Sequence, residues 1–145
     1  SCKIDAKSRI VLPAAFKKQL SAAAQDRFVL KKDIFEPCLV LYPMDEWEKQ
    51  VEIIRKRINP YNKDHSKFFR GFFKGTAEVS LDANNRLLLP KRLLDMVGID
   101  KDVILAGQDT KIEIWSKDHY DTQSEDDQDF AKLAESIMGD KSEED

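Results

Sequence analysis

Twelve residues near the start of this chain recur 77 positions later, and that duplication limits the possible folds more than any other feature. The stretch from Cys2 to Pro13 aligns without a gap on Val79 to Pro90. Asp5 and Asp82, Ala6 and Ala83, Arg9 and Arg86, and Pro13 and Pro90 are identical pairs, and the apolar positions between them match in kind. After each proline, apolar residues recur at helical spacing with basic residues between them: Phe16 and Leu20 around Lys17 and Lys18, then Leu93, Leu94 and Val97 after Lys91 and Arg92. Proline suits the first turn of a helix, where its missing N–H is not needed. Further on, Phe28-Val29-Leu30 resembles Val103-Ile104-Leu105, and Leu39 to Trp47 resembles Ile112 to Tyr120. The chain is a tandem of two similar units.

Each unit reads as strand, tight connection, strand, short helix and a second strand pair, with a helix starting at Asp45 or Asp118. The first connection, Asp5 to Arg9 or Asp82 to Arg86, has hairpin length. Two hairpins around one short helix bury too little apolar surface to stand alone. The units are therefore expected to pair about a pseudo-twofold axis, interleaving their strands into one barrel-like core. The expected fold class is α+β and β-rich. Residues 1–46 form the first unit, 47–75 a helical linker, 76–119 the second unit and 120–145 an acidic tail. In the linker, Met44, Trp47, Val51, Ile54 and Ile58 describe an amphipathic helix ended by Asn59-Pro60. A second helix is expected over Asp64 to Phe72, its Phe68, Phe69, Phe72 and Phe73 serving as core or subunit contact. In the tail, Phe130, Leu133, Ile137 and Met138 suit one short helix, with disorder expected beyond Gly139.

Charge is divided along the chain. The whole carries −3, which alone argues against a nucleic-acid partner. Residues 1–117 hold 22 Lys and Arg against 16 Asp and Glu, a net of +6, whereas residues 118–145 hold 2 against 11, a net of −9. A basic body with an acidic tail restores nucleic acid as a partner, the tail lying away from it or competing for the same surface. Two cysteines, Cys2 and Cys38, are too few for a disulfide framework and lack zinc-ligand spacing, which suits a reducing cytosol. No apolar run reaches membrane-spanning length and no secretory leader is visible, so a soluble, cytoplasmic protein is expected.

Catalysis finds little support. His65 and His119 lie near no nucleophile motif, and five glycines in all leave no glycine-rich phosphate loop. The carboxylates Asp126-Asp127 and Glu143-Glu144-Asp145 sit in a polar tail without an apolar pocket to tune them. No enzyme, cofactor or metal site is expected. What remains is the repeated loop. Asp5 and Asp82 are expected to structure it, by accepting backbone N–H bonds or pairing with their arginines. Arg9 beside Lys7, and Arg86 beside Asn84 and Asn85, offer charge and directional donors on a rigid mount. Arginine matches the O6/N7 edge of guanine, and a two-stranded ribbon fits a major groove. Lys17, Lys18, Lys91 and Arg92 follow the loops directly and could grip phosphates; Lys49 and Arg55-Lys56-Arg57, on the linker helix, read as solvated or as subunit contact.

The pattern D-x-K-x-R-I-x-x-P in the first unit, D-x-x-x-R-x-x-x-P in the second, their separation, and Leu41-Tyr42-Pro43 before Asp45-Glu46-Trp47 resemble the MraZ family over about residues 1–120. These are bacterial transcriptional regulators built from two SpoVT-AbrB-type units. The resemblance implies an AbrB-like swapped-hairpin barrel and a ring-shaped, octamer-like homo-oligomer. It also implies binding to double-stranded DNA at direct repeats in the promoter of the division and cell-wall gene cluster, usually as a repressor of its own operon in the cytoplasm and nucleoid. Residue by residue it places the DNA-contacting loop on Lys7 and Arg9 and on Arg86. The family usually carries glycine before the arginine, where this chain has Ser8 and Asn85. It also begins its motif with an aromatic-x-Gly strand, kept as Phe73-Lys74-Gly75 in the second unit only, as expected of a chain lacking an initial segment. A non-enzymatic ring using the same hairpins for assembly or for an acidic protein is the alternative, and an antitoxin-like regulator is a third reading.

Overall fold

The computed structural model describes residues 2–19, 26–123 and 127–139. The first unit and the connection after it give β1 (Cys2–Lys3), β2 (Arg9–Val11), α1 (Ala14–Gln19), β3 (Arg27–Lys32), β4 (Leu39–Pro43), α2 (Met44–Arg57) and α3 (Lys63–Phe73). The second gives β5 (Thr76–Ser80), β6 (Arg86–Leu88), α4 (Lys91–Met96), β7 (Asp102–Gln108), β8 (Lys111–Ser116), α5 (Lys117–Gln123) and α6 (Asp127–Met138). The carboxylates at 126 and 143–145, the start of the tail at 124–126 and the stretch beyond Gly139 lie outside the described residues.

A six-stranded antiparallel sheet runs β1-β7-β8-β4-β3-β5, and a two-stranded ribbon pairs β2 with β6. Both are symmetric under exchange of the units. The edge strand of each unit pairs with an inner strand of the other: Cys2 faces Val103, and its counterpart Val79 faces Phe28. Two registers fall on the axis. Val40 faces Glu113 where β4 meets β8, and Ile10 faces Leu87 in the ribbon, each residue opposite its own counterpart. The interleaved α+β architecture expected from the duplication is present, and it follows from burial. Each unit lacks enough inward surface alone, whereas exchange of edge strands lets Ile10, Leu12, Leu30, Leu41, Leu87, Leu89, Val103, Ile112 and Ile114 fill one core.

One detail differs from the hairpin reading. The first connections are tight, with Asp5 N donating to Arg9 O and Asp82 N to Arg86 O, both at 2.9 Å. Beyond these rungs, apart from one bridge between Leu81 and Leu87, the strands take other partners: β1 joins β7, and β2 joins β6. The ribbon therefore takes one strand from each unit. A ladder within one unit would leave Ile10 and Leu87 short of partners, whereas the cross-unit pair holds them at 1% and 0% exposure.

β3 and β4 are buried on both faces, which accounts for their unbroken apolar runs Phe28-Val29-Leu30 and Leu39-Val40-Leu41. α2 covers their outer side. It begins at Pro43 and runs on as the apolar spacing predicts, but Met44, Trp47, Val51, Ile54 and Ile58 are only half-buried. α3 starts at Asn62, whose side chain accepts from the Asp64 and His65 N–H groups. It folds back so that Phe72 stacks on Trp47 with ring centres 5.5 Å apart. Phe72 is buried and Phe68 is exposed. The Lys31 ammonium lies 4.5 Å from the Phe72 ring centre, and its own burial lowers its pKa. Burial likewise pushes the Cys38 thiol up to about 12, so it carries no thiolate at neutral pH. The second unit repeats the Tyr42–Trp47 contact as Trp115–Tyr120.

Candidate nucleic-acid interface

Each repeated loop is built around its aspartate. Asp5 Oδ1 accepts the Lys7 and Arg9 N–H groups, both at 2.9 Å, and Oδ2 accepts Arg9 Nε at 2.8 Å. Asp82 does the same for Asn84 N at 2.8 Å, Arg86 N at 2.9 Å and Arg86 Nε at 2.9 Å. A short carboxylate closing on amides two and four residues ahead is what makes aspartate suit this position. The Arg9 N–H is the main cause holding the Asp5 carboxyl below its usual 3.8, with the Lys7 N–H and the Arg9 guanidinium adding to it against partial desolvation. Arg86 and Asn84 act on Asp82 in the same way.

The loop also fixes its arginine. Because Nε is bonded to the carboxylate, the guanidinium plane is held side-on, and among the described residues neither Nη of Arg9 or Arg86 is bonded to a protein acceptor. The two Nη groups are thus left as a fork of donors on a braced stem. Both side chains are only about a quarter to a third exposed, which limits their rotamer freedom.

The residue before each arginine has left-handed backbone, Ser8 at φ 62° and Asn85 at φ 58°. This conformation lets its carbonyl turn across the ribbon. Leu89 N donates to Ser8 O at 2.8 Å and Leu12 N to Asn85 O at 2.9 Å, each crossing to the other unit and continuing the ribbon register. Each loop is thus hydrogen-bonded to the strand end of the other unit. Asparagine tolerates positive φ better than serine, which carries the usual Cβ penalty. Ser8→Gly is expected to stabilise the fold by about 0.5–1 kcal/mol, the relieved strain minus the added freedom of the unfolded chain. Thermal unfolding would show a rise of about 1–3 °C; a fall would mean that the serine side chain contributes more than its backbone costs.

Alternation along the ribbon turns Ile10 and Leu87 inward and Arg9, Val11, Arg86 and Leu88 outward. Arg9 and Arg86 lie diagonally across this outer face, about 7–8 Å apart at the backbone. Between them Val11 and Leu88 are 57% and 58% exposed. The only sequence signal for these two exposed apolar residues is the out-in-out alternation of Arg9-Ile10-Val11 and its counterpart Arg86-Leu87-Leu88. Lys17 joins the face from α1, its Nζ donating to Asn85 Oδ1 of the other unit's loop at 2.8 Å. Lys7, Lys18 and Asn84 are exposed beside the loops. Arg92 is drawn elsewhere, its Nη2 donating to Thr76 O at 3.0 Å.

The histidines are structural contacts. Asn59 N donates to His65 Nδ1 at 2.9 Å, and His119 Nδ1 lies 3.1 Å from Val97 O. Among the described residues no three His, Cys, Asp or Glu side chains gather into a metal-holding group, and no helix is long and apolar enough to cross a membrane.

Comparison with known proteins bears on this face. The family model described as "MraZ protein, putative antitoxin-like" matches twice, over residues 1–69 and 72–140, so the likeness runs past residue 120 into α6. A protein of Christiangramia forsetii named transcriptional regulator MraZ is 45% identical over 142 residues, covering 95% of this chain and 89% of its own length. Its namesake in Phocaeicola vulgatus is 44% identical over 137 residues, covering 94% and 89%. The namesake in Clostridium tetani is 35% identical over 134 residues, covering 92% and 90%. With the motif matched in both halves and such identity over nearly the whole length, this chain belongs to the MraZ family of transcriptional regulators.

Proposed function

We propose that this protein is a sequence-specific, double-stranded-DNA-binding transcriptional repressor without catalytic activity. It acts in the cytoplasm and nucleoid on direct repeats in the promoter of the division and cell-wall gene cluster that includes its own gene. The observation that carries this reading is the pair of carboxylate-braced guanidinium forks, Arg9 and Arg86, on the outer face of one cross-unit ribbon. In this reading Arg9 and Arg86 contact base edges, Lys7, Asn84 and Asn85 contact adjacent bases or phosphates, and Lys17 and Lys18 grip the backbone. Asp5 and Asp82 hold the loops in shape.

Each arginine contributes about 1–3 kcal/mol of base discrimination, too little for a genomic site. A ring-shaped, octamer-like homo-oligomer offers several ribbons to several repeats, and linked binding events gain through effective concentration. DNA with several repeats should therefore bind at least about tenfold more tightly than DNA with one, as read by a gel shift against the upstream region of its own gene. Binding should also fall steeply between two salt concentrations as phosphate contacts release counterions. Equal affinity for one and several repeats, or for scrambled DNA, would refute the proposal.

A further inference from the structure

We infer that α6 of one copy docks, head to tail, into a basic-rimmed apolar groove on the next copy. The inference rests on the ring reading above and assigns the contact that builds the ring.

α6 lacks a partner. Ala134 is half-buried, and from Asp129 to Gly139 the other residues are exposed, including Phe130 at 71%, Leu133 at 55%, Ile137 at 65% and Met138 at 67%. These four side chains form one stripe, Phe130 to Ile137 spanning about 10 Å of helix. An isolated helix of 12 residues is marginal in water, so α6 requires a surface to cover that stripe. α3, the second helix after the sheet in the first unit, has such a surface in Trp47, which meets Phe72 and Phe73; among the described residues α6, the second helix after the sheet in the second unit, has no counterpart of it.

A fitting acceptor lies beside the end of β3. Phe72 and Phe68 of α3, Met96 and Ile34 line a groove of about 320 Å³ rimmed by Lys32 and Lys74. Ile34, Phe68 and Met96 are 49%, 45% and 45% exposed. The one acidic lining residue, Asp33, directs Oδ2 to the Phe35 and Glu36 N–H groups. By sequence α6 holds three acidic residues and one lysine, within a tail of net charge −9. Apolar stripe meets apolar floor, and acidic helix meets basic rim.

Donor and acceptor are different patches of the same chain. A contact between unlike patches is heterologous, and repeating it produces a closed ring or an open fibre rather than a closed pair. The duplication alone would not produce this, because pseudo-twofold partners present matching surfaces; the helices appended to the sheet break that match.

The test uses the full chain in two forms. Phe130→Asp with Ile137→Asp disables the helix, and Phe68→Asp with Lys74→Glu disables the groove; far-ultraviolet circular dichroism checks that both remain folded. In analytical ultracentrifugation each form alone is expected to fall from the wild-type assembly to a single chain. An equimolar mixture should yield pairs of twice the single-chain mass and nothing larger, because one intact helix meets one intact groove. Retention of the wild-type mass by either variant, including the case where α6 covers its own chain's groove, overturns the inference while leaving the ring reading in place. A mixture that stays monomeric overturns it too. A wild-type chain that is itself monomeric overturns both.

Discussion

Replacing Arg9 and Arg86 together by alanine is expected to abolish sequence-specific DNA binding, with at least about a 100-fold loss of affinity for multi-repeat DNA and no change in oligomer size. The size of the loss follows from the fork geometry. Each guanidinium is worth about 1–3 kcal/mol of base discrimination, and every chain in an assembly loses two. Assembly should survive because Asp5 and Asp82 keep their bonds to the backbone amides at positions 7 and 9 and at 84 and 86, so the loops stay closed. Single variants should differ in kind: Arg→Lys keeps the charge but loses the Nε brace and the planar donors, so binding to random DNA should persist while preference for the repeat falls. Fluorescence anisotropy against repeat and scrambled DNA, with ultracentrifugation alongside, reads both quantities. If assembly changes and DNA affinity does not, the loops serve subunit contact and the regulatory reading fails.

Leu87→Ala is expected to cost about 2–5 kcal/mol of stability, enough to unfold a marginal domain. Leu87 is fully buried on the pseudo-twofold axis against Ile10, where both halves of the core meet, so neither unit can close the cavity by shifting alone. The same change should loosen both Asp-to-Arg loops at once, since Ser8 and Asn85 are held by Leu89 and Leu12 across the same ribbon. Urea unfolding gives the energy, and amide exchange at Leu12 and Leu89 gives the coupling. Loss of protection at one loop only would show that the two are held independently.

How much of this could be read from residues depends on the range of the interaction. The duplication was legible because it is a pattern in the chain itself, and it carried the architecture: units that cannot bury enough alone must exchange strands. The Asp-to-Arg loop was legible because its bonds span two to four residues. Which strands pair is a long-range choice, and tight connections at Asp5 and Asp82 suggest local hairpins until the need to bury Ile10 and Leu87 is included. Val11 and Leu88 were missed for the same reason, since exposure on the ribbon depends on what lies behind it. The bond from Lys17 to Asn85 joins residues 68 apart and leaves no trace in either neighbourhood.

That bond has a consequence for the DNA as well as for the protein. A dimer of identical subunits imposes its twofold on the operator, which must then be palindromic. Here the two halves are covalently joined and have diverged: the position matching Lys17 in the second unit is Leu94, so among the described residues only the loop carrying Arg86 has a lysine tied to it. A single chain thus carries two unequal loops with a fixed polarity. Under the proposed function the sequence it reads has a direction, and copies of that sequence arranged in tandem, all pointing the same way, are what a head-to-tail assembly of such chains can follow.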